Sequence, residues 1–187
     1  FDHPLIEGIL NFLTCSKDGA SAMVKVQSKK IETGLLATFL VVAEANAPKE
    51  LEVGKYLEKS TLKDFSFNQK CAPISLDLSL LKKDQWTDLN PNEISGVESH
   101  LKKQMLLWQK ILEQETLQWL QGVKDEALQK LEVEREKEIS RLKYLVAVNP
   151  NFSKEELQTL EDKYAKIEAV LNELTARIDS YCVIFSQ

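Results

Sequence analysis

The sequence predicts an α+β fold: a small antiparallel sheet with an N-terminal helix, then a long antiparallel, coiled-coil-like helical hairpin and a short terminal strand. Three observations lead to it. Short β-prone runs crowd into the N-terminal half. Between Pro91 and Pro150 no proline interrupts a stretch rich in Leu, Glu, Lys and Gln, all good helix formers. After Pro150 a capped helix start opens a heptad stripe.

The first element follows from Pro4, a helix-entry residue behind Asp2 and His3, and from Leu5, Ile6, Ile9, Leu10 and Leu13 at helical spacing. The turn chemistry of Ser16 to Gly19 ends it. Met23 to Val26 then reads as a short strand. Leu35 to Ala43, bounded by Gly34 and Pro48, reads as a central strand buried on both faces. Leu51 to Leu57 and Leu62 to Phe67 alternate and are expected as strands with one wet face. Residues 68 to 91, with Pro73, Asn90 and Pro91, connect the two halves, and the weak apolar run Ile74 to Leu81 has no assignable type.

From Asn92 onward one very long helix, or two in series, is expected, with Gly122 the place for a bend. Asn149-Pro150-Asn151 must end it, because a residue before proline is driven out of the α region. Ser153 with Glu156 three positions on forms the capping-box pattern that starts the next helix. Its seam is Leu157, Leu160, Tyr164, Ile167, Leu171, Leu174, Ile178 and Tyr181, and the partner stripe is Leu120, Leu128, Leu131, Ile139, Leu142 and Leu145. The short connection makes the two helices antiparallel. Charges at Glu132 to Glu138 would face this seam, so the hairpin tip is expected to be tighter than its base. Cys182 to Phe185 is β-prone and should return to the sheet. The domains expected are residues 1–90, the sheet module, and 91–187, the hairpin with its terminal strand.

With 43% hydrophobic and 28% charged residues the chain can bury a core, and its formal charge of −5 argues against phosphate binding as a main task. Lysines at Lys29–Lys30, Lys82–Lys83 and Lys102–Lys103, and the cations Arg135 and Lys137, are the residues available for partner contact. Exposed lysines on a solvated face are the commoner case, as is a charge run on a long helix. Cys15, Cys71 and Cys182 lack the spacing of a zinc or redox motif and fit a reducing, cytoplasmic compartment. No run of apolar residues is long enough to span a bilayer. The start, Phe-Asp-His-Pro, reads as a piece of something longer.

Phosphate-loop, dinucleotide, nucleophile-elbow and HExxH motifs are absent, and His3 and His100 are the only histidines. A helix-entry role for His3 beside Asp2 is the simpler reading than a dyad. At helical spacing Trp108 and Trp119 read as core residues rather than, with Trp86, as an aromatic contact surface. No catalytic, cofactor-binding or metal-binding residue is assigned, and the chain by itself is read as no enzyme.

Three segments carry a resemblance. His3-Pro4-Leu5-Ile6-Glu7-Gly8 with the Leu-rich stretch after it, Val42-Ala43-Glu44-Ala45-Asn46-Ala47-Pro48-Lys49-Glu50-Leu51, and Val146 to Asn151 with the capped helix and the ending Arg177 to Ile184 resemble, in order and spacing, the C-terminal region of the RapA family of bacterial RNA polymerase-associated, helicase-like proteins. The resemblance covers nearly the whole chain. It implies a parent that recycles RNA polymerase by ATP hydrolysis, with ATP and magnesium held in lobes upstream of this region. It also implies core RNA polymerase and those lobes as partners, and a monomeric support or contact module as the role of the chain. A self-associating coiled-coil scaffold and a nucleic-acid-binding appendage are the alternatives from other classes.

Overall fold

In a computed structural model of the chain, residues 21–28, 31–57, 61–76, 86–89, 91–149 and 153–187 are described. The expected N-terminal helix, Cys15 and the lysine pairs Lys29–Lys30 and Lys82–Lys83 lie outside them. Two compact units are present. The first comprises Phe1–Val42, Leu62–Thr116 and Arg177–Gln187, and the second comprises Ala43–Thr61 and Leu117–Ala176.

The first unit is built on a five-stranded sheet of order β3-β2-β5-β1-β4, with β1 Ser21–Val26, β2 Gly34–Glu44, β3 Leu62–Phe67, β4 Trp86–Asp88 and β5 Thr175–Ser186. β2 is an inner strand, as its composition predicts: Leu35, Leu36 and Ala37 are buried in succession, and beyond them Phe39 and Val41 alternate with half-buried neighbours. β3 pairs with it antiparallel, from Ala37 opposite Phe67 to Val42 opposite Leu62.

The sheet is mixed, which corrects the antiparallel expectation. β1 pairs antiparallel with β4 but parallel with β5, from Ser21 beside Tyr181 to Val26 beside Ser186. Parallel partners cannot be joined by a tight hairpin. Here all the chain between Val26 and Thr175 forms the connection, so the pairing leaves no local mark in the sequence.

The terminal strand returns to the sheet as expected and is longer than expected. It begins at Thr175, so Ile178 and Tyr181 sit on a strand and not on the helical seam to which their spacing assigned them. Thr175, Ile178, Val183 and Ile184 are β-branched, and Tyr181 and Phe185 are aromatic, a composition that favours a pleated surface once the helix has ended.

Alternation sorts the two faces of this sheet. On one, Phe39 stacks on Tyr181 with ring centroids 6.0 Å apart and meets Phe67 at 6.2 Å. On the other, Val24, Val26, Leu36 and Ile184 form a buried cluster flanked by Ile31, Ile74, Leu76 and Cys182.

The segment Leu51 to Leu57 is not a strand. A 3-10 turn over Lys49–Leu51 ends at Glu52, whose φ of 50° is left-handed, and a short helix α1, Gly54–Leu57, follows. Val53, Tyr56 and Leu57 are buried together, a spacing of three and four that overlaps with the alternation read from the sequence.

The long helix α2 runs unbroken from Pro91 to Val148, 58 residues, straight through Gly122. α3 spans Lys154–Asn172 and carries the full capping box: Ser153 Oγ accepts from Glu156 N at 3.3 Å, and Ser153 N donates to the Glu156 carboxylate at 3.0 Å. In the second unit α3 lies antiparallel to α2, since Lys124 meets Asn172 whereas Glu134, further along α2, meets Tyr164, earlier on α3.

The core of that unit is Val123, Ala127 and Leu131 of α2, Tyr164, Ile167 and Leu171 of α3, and Ala43, Val53, Tyr56, Leu57 and Leu174. It gathers at the base of the hairpin. Leu142, Leu145, Leu157 and Leu160 nearer the turn are only half-buried, so the tip is looser than the base and the opposite expectation is corrected. The reason is a third layer: Val53, Tyr56 and Leu57 cover the base, and two helices alone cannot enclose a seam.

Candidate functional site

Among the described residues no group of three or more His, Cys, Asp or Glu side chains is placed to hold a metal ion. No described helix is long and apolar enough to cross a membrane. What the two units present are pinned turns, a paired charged seam and exposed helix faces.

In the first unit the turn after β3 is tied to α2. Asn68 Oδ1 accepts from the backbone N–H groups of Lys70 and Ala72, both at 3.0 Å, closing a turn in which Cys71 adopts a left-handed φ of 63°. The fully buried Trp108 donates its indole N–H to Asn68 O at 2.9 Å, and buried Gln104 donates to Gln69 O at the same distance. Trp108 thus packs as its helical position predicts, and Trp119 is half-buried against the core of the second unit. His100 is exposed, with its Nε2 3.3 Å from the Gln69 amide nitrogen. Lys102 and Lys103 are exposed on α2. Beside them lies an apolar groove of about 590 Å³, with Met23, Phe39, Leu101, Met105, Leu112 and Tyr181 in its walls.

In the second unit two of the charges at 132 to 138, Glu134 and Arg135, turn inward as expected and are answered by other elements, whereas Glu136 and Lys137 are exposed. Lys55 of α1 donates to Glu134 at 2.6 Å and stands 4.8 Å above the ring of Tyr56, and Tyr164 of α3 donates to the same carboxylate at 3.4 Å. Partial burial is the largest single influence and works against the charges of both partners, but the Lys55–Glu134 hydrogen bond, their mutual attraction and the neighbouring tyrosine hydroxyls together outweigh it: the carboxyl is held below the ordinary glutamate value and the amine above the ordinary lysine value. Burial, and then the negative charge of Glu134, push Tyr164 up to about 12, so it stays a neutral donor.

One residue further on, Arg135 is shared between Glu132 on its own helix and Glu168 of α3, the latter at 2.9 Å. Arg135, a candidate for partner contact by sequence, is therefore engaged inside the hairpin. Its guanidinium is held further toward the charged state, first by Glu132 and also by Glu168. Lys137 instead points outward and is exposed. The candidates fall in different places: Lys102 and Lys103 belong to the first unit, Arg135 and Lys137 to the second, and Lys82 and Lys83 are outside the described residues.

Sequence reasoning missed Lys55 and Tyr56 as partners of the seam, because the segment that carries them was read as a strand. The signal available was the spacing of Val53, Tyr56 and Leu57 behind Pro48.

Comparison with known proteins places the chain in one family. Residues 1–186 match the family described as RNA polymerase recycling family C-terminal, and the chain belongs to that family. It is 29% identical over 190 residues to the RNA polymerase-associated protein RapA of Pasteurella multocida, covering 100% of this chain and 19% of that protein. To the RapA proteins of Photobacterium profundum and Vibrio campbellii it is 26% and 24% identical, in each case over 98% of this chain and 19% of the relative. The chain therefore spans about a fifth of the length of the curated relatives it matches.

Proposed function

We propose that this chain, as a member of the C-terminal family of RNA polymerase recycling proteins, is a non-catalytic support or contact module of an RNA polymerase-associated motor. The observation that carries the reading is the family match over residues 1–186. The arrangement Lys55–Glu134–Tyr164 fastens helices of the second unit together, as a support module requires. On this reading ATP and magnesium belong to lobes outside the chain, the chain holds no cofactor of its own, and it acts as a monomer in the cytoplasm. The sheet module bears on those lobes, or the hairpin reaches the polymerase.

The test is a titration of the labelled chain against core RNA polymerase, followed by fluorescence anisotropy at two salt concentrations, with deletion of the chain from the parent protein beside it. Saturable binding supports a contact module. No binding, with altered polymerase-stimulated ATP turnover on deletion, supports the internal support role. No binding and unchanged turnover would sink both.

A further inference from the structure

The hairpin of the second unit has an outer side that its own packing leaves uncovered. Along α2, Lys130, Val133, Lys137, Arg141, Tyr144 and Val148 follow one another at steps of three and four, so they share one side of the helix. The residues packed against α3, Ala127, Leu131 and Arg135, lie on another. The apolar members are well out of the core: Val133 is 64%, Tyr144 68% and Val148 57% exposed.

The exposed ionisable members of this stripe other than Tyr144, Lys130, Lys137 and Arg141, are cations, in a chain of formal charge −5. Glu134, which falls at the same spacing between Lys130 and Lys137, is half-buried and paired with Lys55. Lys137 has no ion pair among the described residues. Lys130 and Arg141 pair with Glu126 and Glu138, neighbours along their own helix, through exposed contacts of the kind that contribute least and exchange partners readily. An exposed tyrosine set between Arg141 and Val148 on the stripe has the composition of an interface centre, where aromatic and arginine side chains dominate affinity.

We propose that this stripe docks an acidic protein surface that offers Tyr144 an apolar pocket. The proposal rests on the contact-module reading above and specifies its surface. Charge complementarity selects the occupant. Two copies pairing this stripe with itself about a two-fold axis would set cation against cation. Nucleic acid would use three cations at most and gain nothing from Val133 or Val148, and its affinity grows with the number of phosphates neutralised.

The experiment uses the full-length protein that carries this chain and measures its affinity for core RNA polymerase. Tyr144→Ala and Lys137→Glu are each expected to weaken binding by about tenfold or more, with an unchanged melting temperature, and Lys137→Arg to restore it. Affinity unchanged in both variants, while deletion of the chain abolishes binding, overturns the stripe and leaves the contact module standing. Deletion without effect on binding overturns the polymerase contact and the stripe together. A loss confined to DNA or RNA binding, or to self-association in sedimentation, overturns the acidic-protein occupant.

Discussion

Lys55 and Glu134, brought to 2.6 Å from positions 79 residues apart, fasten the short helix α1 to the long helix α2 beside the phenol of Tyr164. Both side chains are 37% exposed, so the pair is screened by solvent and its worth is that of a geometric clasp more than of a buried ion pair. It accounts for the place of Glu134 beside the apolar core of the hairpin base.

Because the folded-state value of Glu134 lies below that of an ordinary glutamate, its contribution to stability is present above the ordinary value of 4.5 and is lost as pH falls through the folded value. Glu134→Gln should therefore flatten the acid limb of stability against pH below about 4.5 and change little on the alkaline side. Thermal melts across pH 3 to 7 check this, roughly spanning the carboxylate range. An unaltered acid limb would mean that the clasp is not formed in solution.

Trp108 joins packing and hydrogen bonding at one side chain. Trp108→Phe keeps most of the apolar bulk and removes one of the two hydrogen bonds that Asn68 O accepts, the other coming from Cys71 N, and should cost about 0.5–1.5 kcal/mol. Trp108→Ala adds a cavity and should cost about 3–5 kcal/mol. Urea unfolding of the two variants separates the contributions: a Phe variant as stable as the native protein would show that the hydrogen bond matters little, and equal losses would show that the lost bulk does.

Gly122 sits in the interior of α2, exposed, and an added Cβ there meets nothing within 4 Å. Gly122→Ala should stabilise the protein by about 0.5–1 kcal/mol by reducing the entropy of the unfolded chain. A destabilised variant would show that the helix needs glycine's freedom at this point.

Burial pushes the Cys182 thiol up from 9.0 to about 11. Near neutral pH its thiolate population should be about a hundredfold below that of the unfolded chain. Peptide-resolved alkylation, native against denatured, should show Cys182 slowed at least in that proportion. Equal rates would place the residue in solvent.

The hairpin was legible from sequence because its determinants are local: Pro150 stops one helix, Ser153 with Glu156 starts the next, and Leu160 to Leu171 repeat every three or four residues. The inner strand β2 was legible for the same reason, its apolar run being bounded by Gly34 and Pro48. Of the contact candidates, the sequence identified charges facing the seam at 132 to 138 but not which would stay free. Arg135 is taken by Glu168 and Lys137 is not, a difference set by which side of α2 meets α3. The stripe through Tyr144 was written in the spacing, yet only the position of α3 shows that it faces outward.

What the sequence determined by itself, then, is the set of elements whose signals lie within one or two helical turns, together with the family to which the chain belongs. Tertiary structure alone decided the parallel pairing of β1 with β5, the conversion of Leu51 to Leu57 from strand to helix, and the passage of Ile178 and Tyr181 from seam to sheet. Each depends on a partner distant along the chain. Local periodicity states which side chains share a face, while long-range packing selects the face that is covered and what covers it.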